Sequence, residues 1–281
     1  MSEQTRILIL GFGALGAALV RLFGSSYDFR GVKRRPVSAP PCPVYSMPIA
    51  DPGLADHLAW ADHLIFCPAP SSSDIALYRA TYLDNMTSLL SLLRARSRTP
   101  RSIILISSTG VYPESTDAVI DETCETVAET ERQDILLRTE RALRDSPIPF
   151  VIFRCGGLYG EGRDTYRSRL AGGRITSAAL SRQYVHFIHL ADVCTAIDLA
   201  IRHRVRGEIF NLVDDSEIRR VDFYRFLSSL YGIPIPEAGA PPVVRHDRRI
   251  SNVKMKSRLG LSLASPRVTD YLRTGMLQSI S

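Results

Sequence analysis

The sequence predicts an α/β fold: a doubly wound, mainly parallel sheet carrying a small, discontinuous carboxyl-terminal substrate lobe. Three observations predict it. A short apolar strand runs straight into a glycine turn and a helix at the amino terminus; short apolar runs then alternate with helical segments; after Phe153 that rhythm loosens into loops and isolated elements. Alternation favours parallel pairing, because each return to the sheet needs a crossover and a helix supplies it.

Taken in order, Arg6-Ile-Leu-Ile-Leu10 is the first strand, and the helix after it runs from Ala14 to Phe23. Phe29 to Val32, His63 to Phe66, Ser102 to Ile106 and Phe150 to Phe153 are further apolar runs, each too short for a helix and each flanked by breakers. Helices are expected over Ile75 to Arg94 and Arg132 to Arg144. Beyond Phe153, Gly156 to Gly162 reads as a loop, Ala191 to Arg204 as a helix and Gly207 to Val213 as a late strand. A helix from Val221 to Tyr231, a Pro-rich loop from Ile233 to Val243 and a short tail complete the chain. The dinucleotide-binding part is therefore expected over residues 1–160 and 185–213, and the substrate lobe over 161–184 and 214–281, with the cleft between them as the site.

Composition narrows the class. With 281 residues and 45% hydrophobic content the chain is large enough for one or two cores. No apolar run approaches the roughly 20 residues that span a bilayer, and the polar start lacks the order of a secretion signal, so a cytoplasmic location is expected. Cys42, Cys67, Cys124, Cys155 and Cys194 are scattered, without metal-ligand spacing, which predicts reduced thiols and no structural metal. The net charge of +6 rests on arginine, since lysine occurs only at positions 33, 254 and 256. That bias suits genomic base composition better than a nucleic-acid surface, and dispersed arginines suit anionic small molecules better.

Gly11, Phe12, Gly13, Ala14, Leu15 and Gly16 spell G-x-G-x-x-G in its required context, after a strand and opening a helix. The first glycine allows the turn, the second lets a pyrophosphate approach the backbone, the third lets helix pack on strand, and the helix N-terminus faces the phosphates. This is the fingerprint of a Rossmann dinucleotide site. The carboxylate that would bind the ribose hydroxyls of NAD is replaced by Lys33, Arg34 and Arg35, whose charge suits the 2′-phosphate of NADP; Arg34 is the first candidate. Asp51 is placed against the adenine edge, and Cys67, Pro68 and Ala69 along the dinucleotide, because both stretches follow strand ends.

The motifs GFGALG, SSTGVY ending at Tyr112, Asp121-Glu122, Phe153-Arg-Cys-Gly-Gly-Leu-Tyr-Gly160 with Gly162-Arg163, Ile188-His-Leu-Ala-Asp192 and Phe210-Asn-Leu-Val213 come in this order along nearly the whole chain. Together they resemble the extended short-chain dehydrogenase/reductases, the NAD-dependent epimerase/dehydratase family. The glycine spacing is that of an atypical subgroup, which the tail Ser251-Asn-Val-Lys254 with Leu259-Gly260 also resembles. The resemblance implies a Ser or Thr at the strand end, here Ser108 with Ser107 beside the cofactor, working with a Tyr-x-x-x-Lys pair on the next helix. Matching Glu140 to the glutamate that commonly follows the pair puts Arg132 at the tyrosine position and Leu136 at the lysine position. Leucine cannot lower a phenol's pKa, and arginine is a poor acid near neutrality.

Tyr112 and Tyr159 are then the alternative proton donors, Ser108 orients a substrate oxygen, and Arg132 binds a negatively charged substrate. His189 and Asp192 are read as fixing a helix start, and Cys155 as a packing residue. The expected function is an NADP(H)-dependent oxidoreductase or epimerase-like enzyme acting on a small anionic or sugar-like substrate. Two other readings stand beside it: an NADP-sensing regulatory protein, and a non-redox lyase or isomerase. Relatives often pair as homodimers through the two long helices, here Ile75 to Arg94 and Arg132 to Arg144.

Overall fold

A computed structural model describes residues 4–95, 99–113, 118–161, 163, 165–176, 180–236 and 248–278. The chain opens with β1 (Thr5–Leu10), α1 (Ala14–Phe23), β2 (Tyr27–Lys33), β3 (Val44–Ser46), α2 (Leu54–Trp60) and β4 (His63–Phe66). Next come α3 (Ile75–Arg79), one turn of π-helix (Ala80–Asp84), α4 (Asn85–Arg94), β5 (Ser102–Ser108), β6 (Val119–Ile120), α5 (Glu131–Arg144), β7 (Phe150–Cys155) and β8 (Gly157–Tyr159). The last third contains α6 (Thr165–Ala171), β9 (Tyr184–Val185), β10 (Phe187–His189), α7 (Leu190–Arg202), β11 (Glu208–Leu212), β12 (Ile218–Arg219), α8 (Arg220–Tyr231), β13 (Arg249–Ile250), α9 (Val253–Ser257) and α10 (Val268–Gln278). The Pro-rich segment expected from Ile233 to Val243 lies mostly outside the described residues.

Seven strands form one sheet in the order β11-β7-β5-β4-β1-β2-β3. Every pairing in it is parallel, with Leu10 opposite Val32 and Phe66, and Ser108 opposite Cys155. The central strands are buried on both faces, as crossover helices require: His63–Phe66 is buried throughout. One apolar cluster joins α1 and α7 to one face, and a second joins α2, α4 and part of α5 to the other. At about 1.5–3 kcal/mol per fully buried aliphatic or aromatic side chain, these two layers dominate the fold's stability. A third cluster lies away from the sheet, where Tyr159, Leu170, Phe187, Phe223, Leu227 and Val268 meet.

Strand order reverses between β1 and β4. Chain leaving β1 runs through α1 to β2 on one side, and chain leaving β4 runs to β5 on the other, so the carboxyl ends of β1 and β4 diverge into a crevice. The expected helix from Ile75 to Arg94 is interrupted by the π turn; Asp74 caps its start by accepting from Leu77 N at 2.7 Å. Helix α5 starts at a reciprocal cap: Thr130 accepts from Gln133 N, and Gln133 Oε1 accepts from Glu129 N at 2.8 Å. His189 accepts from Ala191 N at the head of α7, the helix-start role expected for it. The apolar runs sit where expected, while β3, α2, α6 and α10 are elements that the apolar runs did not reveal. Among the described residues, no helix is long and apolar enough to cross a membrane.

Candidate functional site

The glycine turn is held from two sides. The N–H groups of Gly11 and Phe12 both donate to Val32 O, at 3.0 and 2.9 Å, and Cys67 N donates to Leu10 O at 2.9 Å. Gly11 has φ +96°, and a Cβ there would stand 2.5 Å from Pro68 Cα. A side chain at Gly11 is therefore excluded by strain and by backbone it cannot displace. The Phe12 ring is buried between α1 and β2, where a Cβ on Gly16 would approach it to 2.8 Å and one on Gly31 to 2.5 Å. Gly16 thus serves helix packing and does not line the cleft.

Helix α1 has no side-chain cap and no acidic residue in its first turn. Its N–H groups and positive dipole end face the cleft without a competing protein anion. This cradle fits the pyrophosphate of a dinucleotide: a Cβ at Gly13 would meet only Gly11 O, at 3.8 Å, so the space beside that backbone is open.

A cavity of about 720 Å³ opens at the sheet's switch point. Gly11, Phe12, Gly13, Ala14 and Leu15 line one wall of it, and Cys67, Pro68 and Ala69 line the exit of β4. Lys33, Arg34 and Arg35 line it where β2 ends, beside Met47 and Ile49. Ser107 and Ser108 line it at the end of β5. Sequence-expected cofactor positions from four strand ends are thus brought to one cavity. Burial pushes the Cys67 thiol up to about 12 and raises that of Cys155, so both are un-ionised walls at neutral pH.

The two serines differ in what they are free to do. Ser107 Oγ donates to Glu140 Oε1 at 2.6 Å, and Glu140 is clamped by Arg154 at 2.7 Å; both charged side chains are almost fully buried. Ser108 Oγ accepts from Gly110 N at 3.0 Å, which caps the turn after β5 and leaves its own hydrogen to donate into the cavity.

Four expected positions are corrected. Asp51 does not line the cavity: its Oδ1 accepts from Gly53 N at 2.8 Å, a local turn ahead of α2. Tyr112 is completely buried, its hydroxyl donates to Asn211 Oδ1 at 2.7 Å, and its ring stacks under the Arg154 guanidinium. It therefore presents no proton to the cleft. Tyr159 is equally buried, with its hydroxyl shared between Asp214 and Ser265 O at 3.1 Å each, and burial raises its pKa further. Arg132 points away from the cavity: its guanidinium donates to Ser73 O and lies 4.9 Å from the Tyr78 ring centroid. Leu136, expected at the lysine position, is packed among Val111, Tyr112 and Ile120.

Residues with no assigned role take their places. Thr81, Tyr82 and Asn85 line the cavity from the π turn and the start of α4, and Arg163 lines it from the loop after β8. Reading Ile75 to Arg94 as one regular helix hid the first three, because the π turn re-aims its side chains. Arg163 was visible in its motif, yet nothing in the sequence said that its side chain turns inward.

A parallel sheet with a cofactor-sized cavity over a glycine cradle at its switch point defines a Rossmann-fold dinucleotide-binding protein. The family model for the NAD dependent epimerase/dehydratase family matches residues 7–212, and the chain belongs to that family. Solved structures share the fold across the full length. A functionally unknown conserved protein from Silicibacter pomeroyi is 22% identical, with TM-score 0.78, covering 99% of this chain and 100% of that one. A short-chain dehydrogenase/reductase superfamily protein from Agrobacterium tumefaciens with bound NAD is 18% identical, with TM-score 0.81, covering 98% and 97%. UDP-glucose 4-epimerase from Thermotoga maritima with UDP-glucose is 17% identical, with TM-score 0.76, covering 99% and 100%.

Proposed function

We propose that this protein is an NADP(H)-dependent oxidoreductase or epimerase-like enzyme acting on a small anionic or sugar-like substrate. The observation that carries the cofactor choice is the set Lys33, Arg34 and Arg35 lining the cavity where β2 ends. Among the described residues no carboxylate lines the cavity there, so a 2′-phosphate meets cations and no anion. Gly11 to Leu15 and the head of α1 would hold the pyrophosphate, and Ser107, Cys155 and Leu158 would flank the far end of the dinucleotide. When bound, the reduced cofactor supplies a hydride.

The chain's own groups then position the substrate. Ser108 donates its free hydroxyl hydrogen to the substrate oxygen, and Arg163 supplies a cation for an anionic group. Ile106 and Leu158 line that far end and keep water away from the reacting carbon. The Agrobacterium tumefaciens relative with NAD and the Thermotoga maritima relative with UDP-glucose support a nicotinamide cofactor and a sugar-like substrate class.

A sensing role is the second reading, favoured by Leu136 in an apolar cluster where the family's lysine would stand. Titration with NADPH and NADH, followed by reduced-nicotinamide fluorescence, tests the cofactor claim: tighter binding of NADPH is expected, and equal affinities would overturn it. Oxidation of bound NADPH by any carbonyl compound separates enzyme from sensor.

A further inference from the structure

We propose that Tyr82 is the catalytic acid-base of this cleft, standing in for the absent tyrosine of the Tyr-x-x-x-Lys pair; the inference rests on the cofactor reading above. Among the described residues Tyr82 is the one tyrosine that lines the cavity. Three buried phenols are committed elsewhere, Tyr27 to Asp198, Tyr112 to Asn211 and Tyr159 to Asp214, and Tyr224 is buried in the cluster away from the sheet. The Tyr82 hydroxyl has no hydrogen-bond partner among the described residues. A half-buried phenol at a cavity wall whose donor is spent on no protein group is free to give it to a ligand.

Its placement also matches the vacancy on α5. Tyr82 packs against the cluster containing Val111, Tyr112 and Leu136, so it reaches the cleft from the neighbouring helix beside the side chain at the missing lysine's position. The π turn is what aims it. One widened turn, Ala80–Asp84, separates two regular helices, and its loosened backbone is tied by Thr81 Oγ1 donating to Leu77 O at 2.7 Å and Asn85 Nδ2 donating to Thr81 O at 3.1 Å. The ring is fixed from outside by Tyr78, with centroids 4.8 Å apart.

The electrostatics suit a donor. Burial raises the Tyr82 phenol, and Tyr78 and Cys67 add to this while Arg163 opposes it, so the group stays protonated until an alkoxide forms beside it. In the reductive direction hydride adds to the carbonyl carbon and the C=O π pair moves to oxygen. The Tyr82 O–H bond breaks as that oxygen takes its proton, Ser108 holding the same oxygen, and the phenolate regains a proton from water. Arg163 stabilises the phenolate, and an oxidised nicotinamide bound there would add positive charge beside it.

The test follows phenolate absorbance against pH for the full chain with and without saturating NADP⁺, in the wild type, in Tyr82→Phe and with 3-fluorotyrosine at position 82. NADP⁺ is expected to lower one phenol's titration by at least about one pH unit, about a tenfold shift in the equilibrium. That shift should vanish in Tyr82→Phe and move to still lower pH with fluorotyrosine, which preserves the packing if the phenylalanine variant folds poorly. An unchanged titration with NADP⁺ bound, or the same shift in wild type and Tyr82→Phe, overturns the assignment and leaves the cofactor reading intact. Absence of any NADPH fluorescence response in the wild type overturns both.

Discussion

The Tyr112 hydroxyl donates to Asn211 Oδ1 across 2.7 Å, tying the turn after β5 to the edge strand β11, 99 residues later in the chain. Asn211 also donates from its amide nitrogen to Ser251 O and from its backbone to Glu122 Oε1 at 2.6 Å. The expected catalytic phenol is therefore a core fastener. Tyr112→Phe should lower stability by about 1–3 kcal/mol, because it strands a buried acceptor, while NADPH affinity is unchanged. Urea unfolding and fluorescence titration of one preparation measure both; loss of cofactor binding with unchanged stability would return Tyr112 to the site.

Arg34 lines the cavity beside Lys33 and Arg35. Arg34→Asp should weaken NADPH binding by about tenfold or more and move preference toward NADH, since one charge-assisted pair with a phosphate is worth about 1.5–3 kcal/mol. Dissociation constants for the two cofactors are the readout, and an unaltered ratio would assign discrimination to Lys33 or Arg35.

Glu140 and Arg154 form a buried ion pair at 2.7 Å, with 2% and 3% side-chain exposure. Glu140→Ala should cost about 3–5 kcal/mol, because it leaves a guanidinium buried without its counter-ion. Replacing both with well-packed apolar residues should cost much less. Denaturant midpoints of the single and double variants decide whether the pair or the lone charge is responsible.

His186 Nε2 accepts from Ile250 N at 3.1 Å, and burial, with Arg248 nearby, lowers its pKa to about 4. His63, beside Ser102 and likewise buried, is also lowered to about 4. A histidine depressed from about 6.5 is neutral in the folded chain while the unfolded chain takes up a proton, so its contribution is complete above pH ~6.5 and is lost as pH falls toward 4. Asp214, raised by burial to about 6, has the opposite sign: its contribution is present below pH ~4 and lost as pH rises through 6. His186→Gln should flatten the acid loss, and Asp214→Asn should raise stability at pH 7 relative to pH 4. Thermal melts across pH 4 to 8 check both slopes.

Much of this was legible from local pattern. Apolar runs with breakers located β1, β2, β4, β5 and β7, and G-x-G-x-x-G after a strand located the glycine turn, because both signals depend on neighbours in sequence. The basic triplet at the end of β2 was legible for the same reason: it follows its strand directly, a fixed distance from the glycines. Short elements such as β3 and α2 were missed, since a three-residue strand or a two-turn helix carries too little periodicity.

Side-chain direction was not legible. Tyr112, Tyr159 and Arg132 were placed by motif position, yet Asn211, Asp214 and Ser73, at separations of 99, 55 and 59 residues, capture them. Tyr82 passed unnoticed because a π turn leaves the same residue types in place and changes only where they point.

By itself, then, the sequence determined the parallel sheet, the glycine turn between β1 and α1 and the basic triplet at the end of β2, since each follows from residues a few positions apart. Only the tertiary structure decided which hydroxyls face the cleft. That outcome depends on hydrogen bonds and packing between elements far apart in the chain, whose free energies outweigh any local preference for where a tyrosine points.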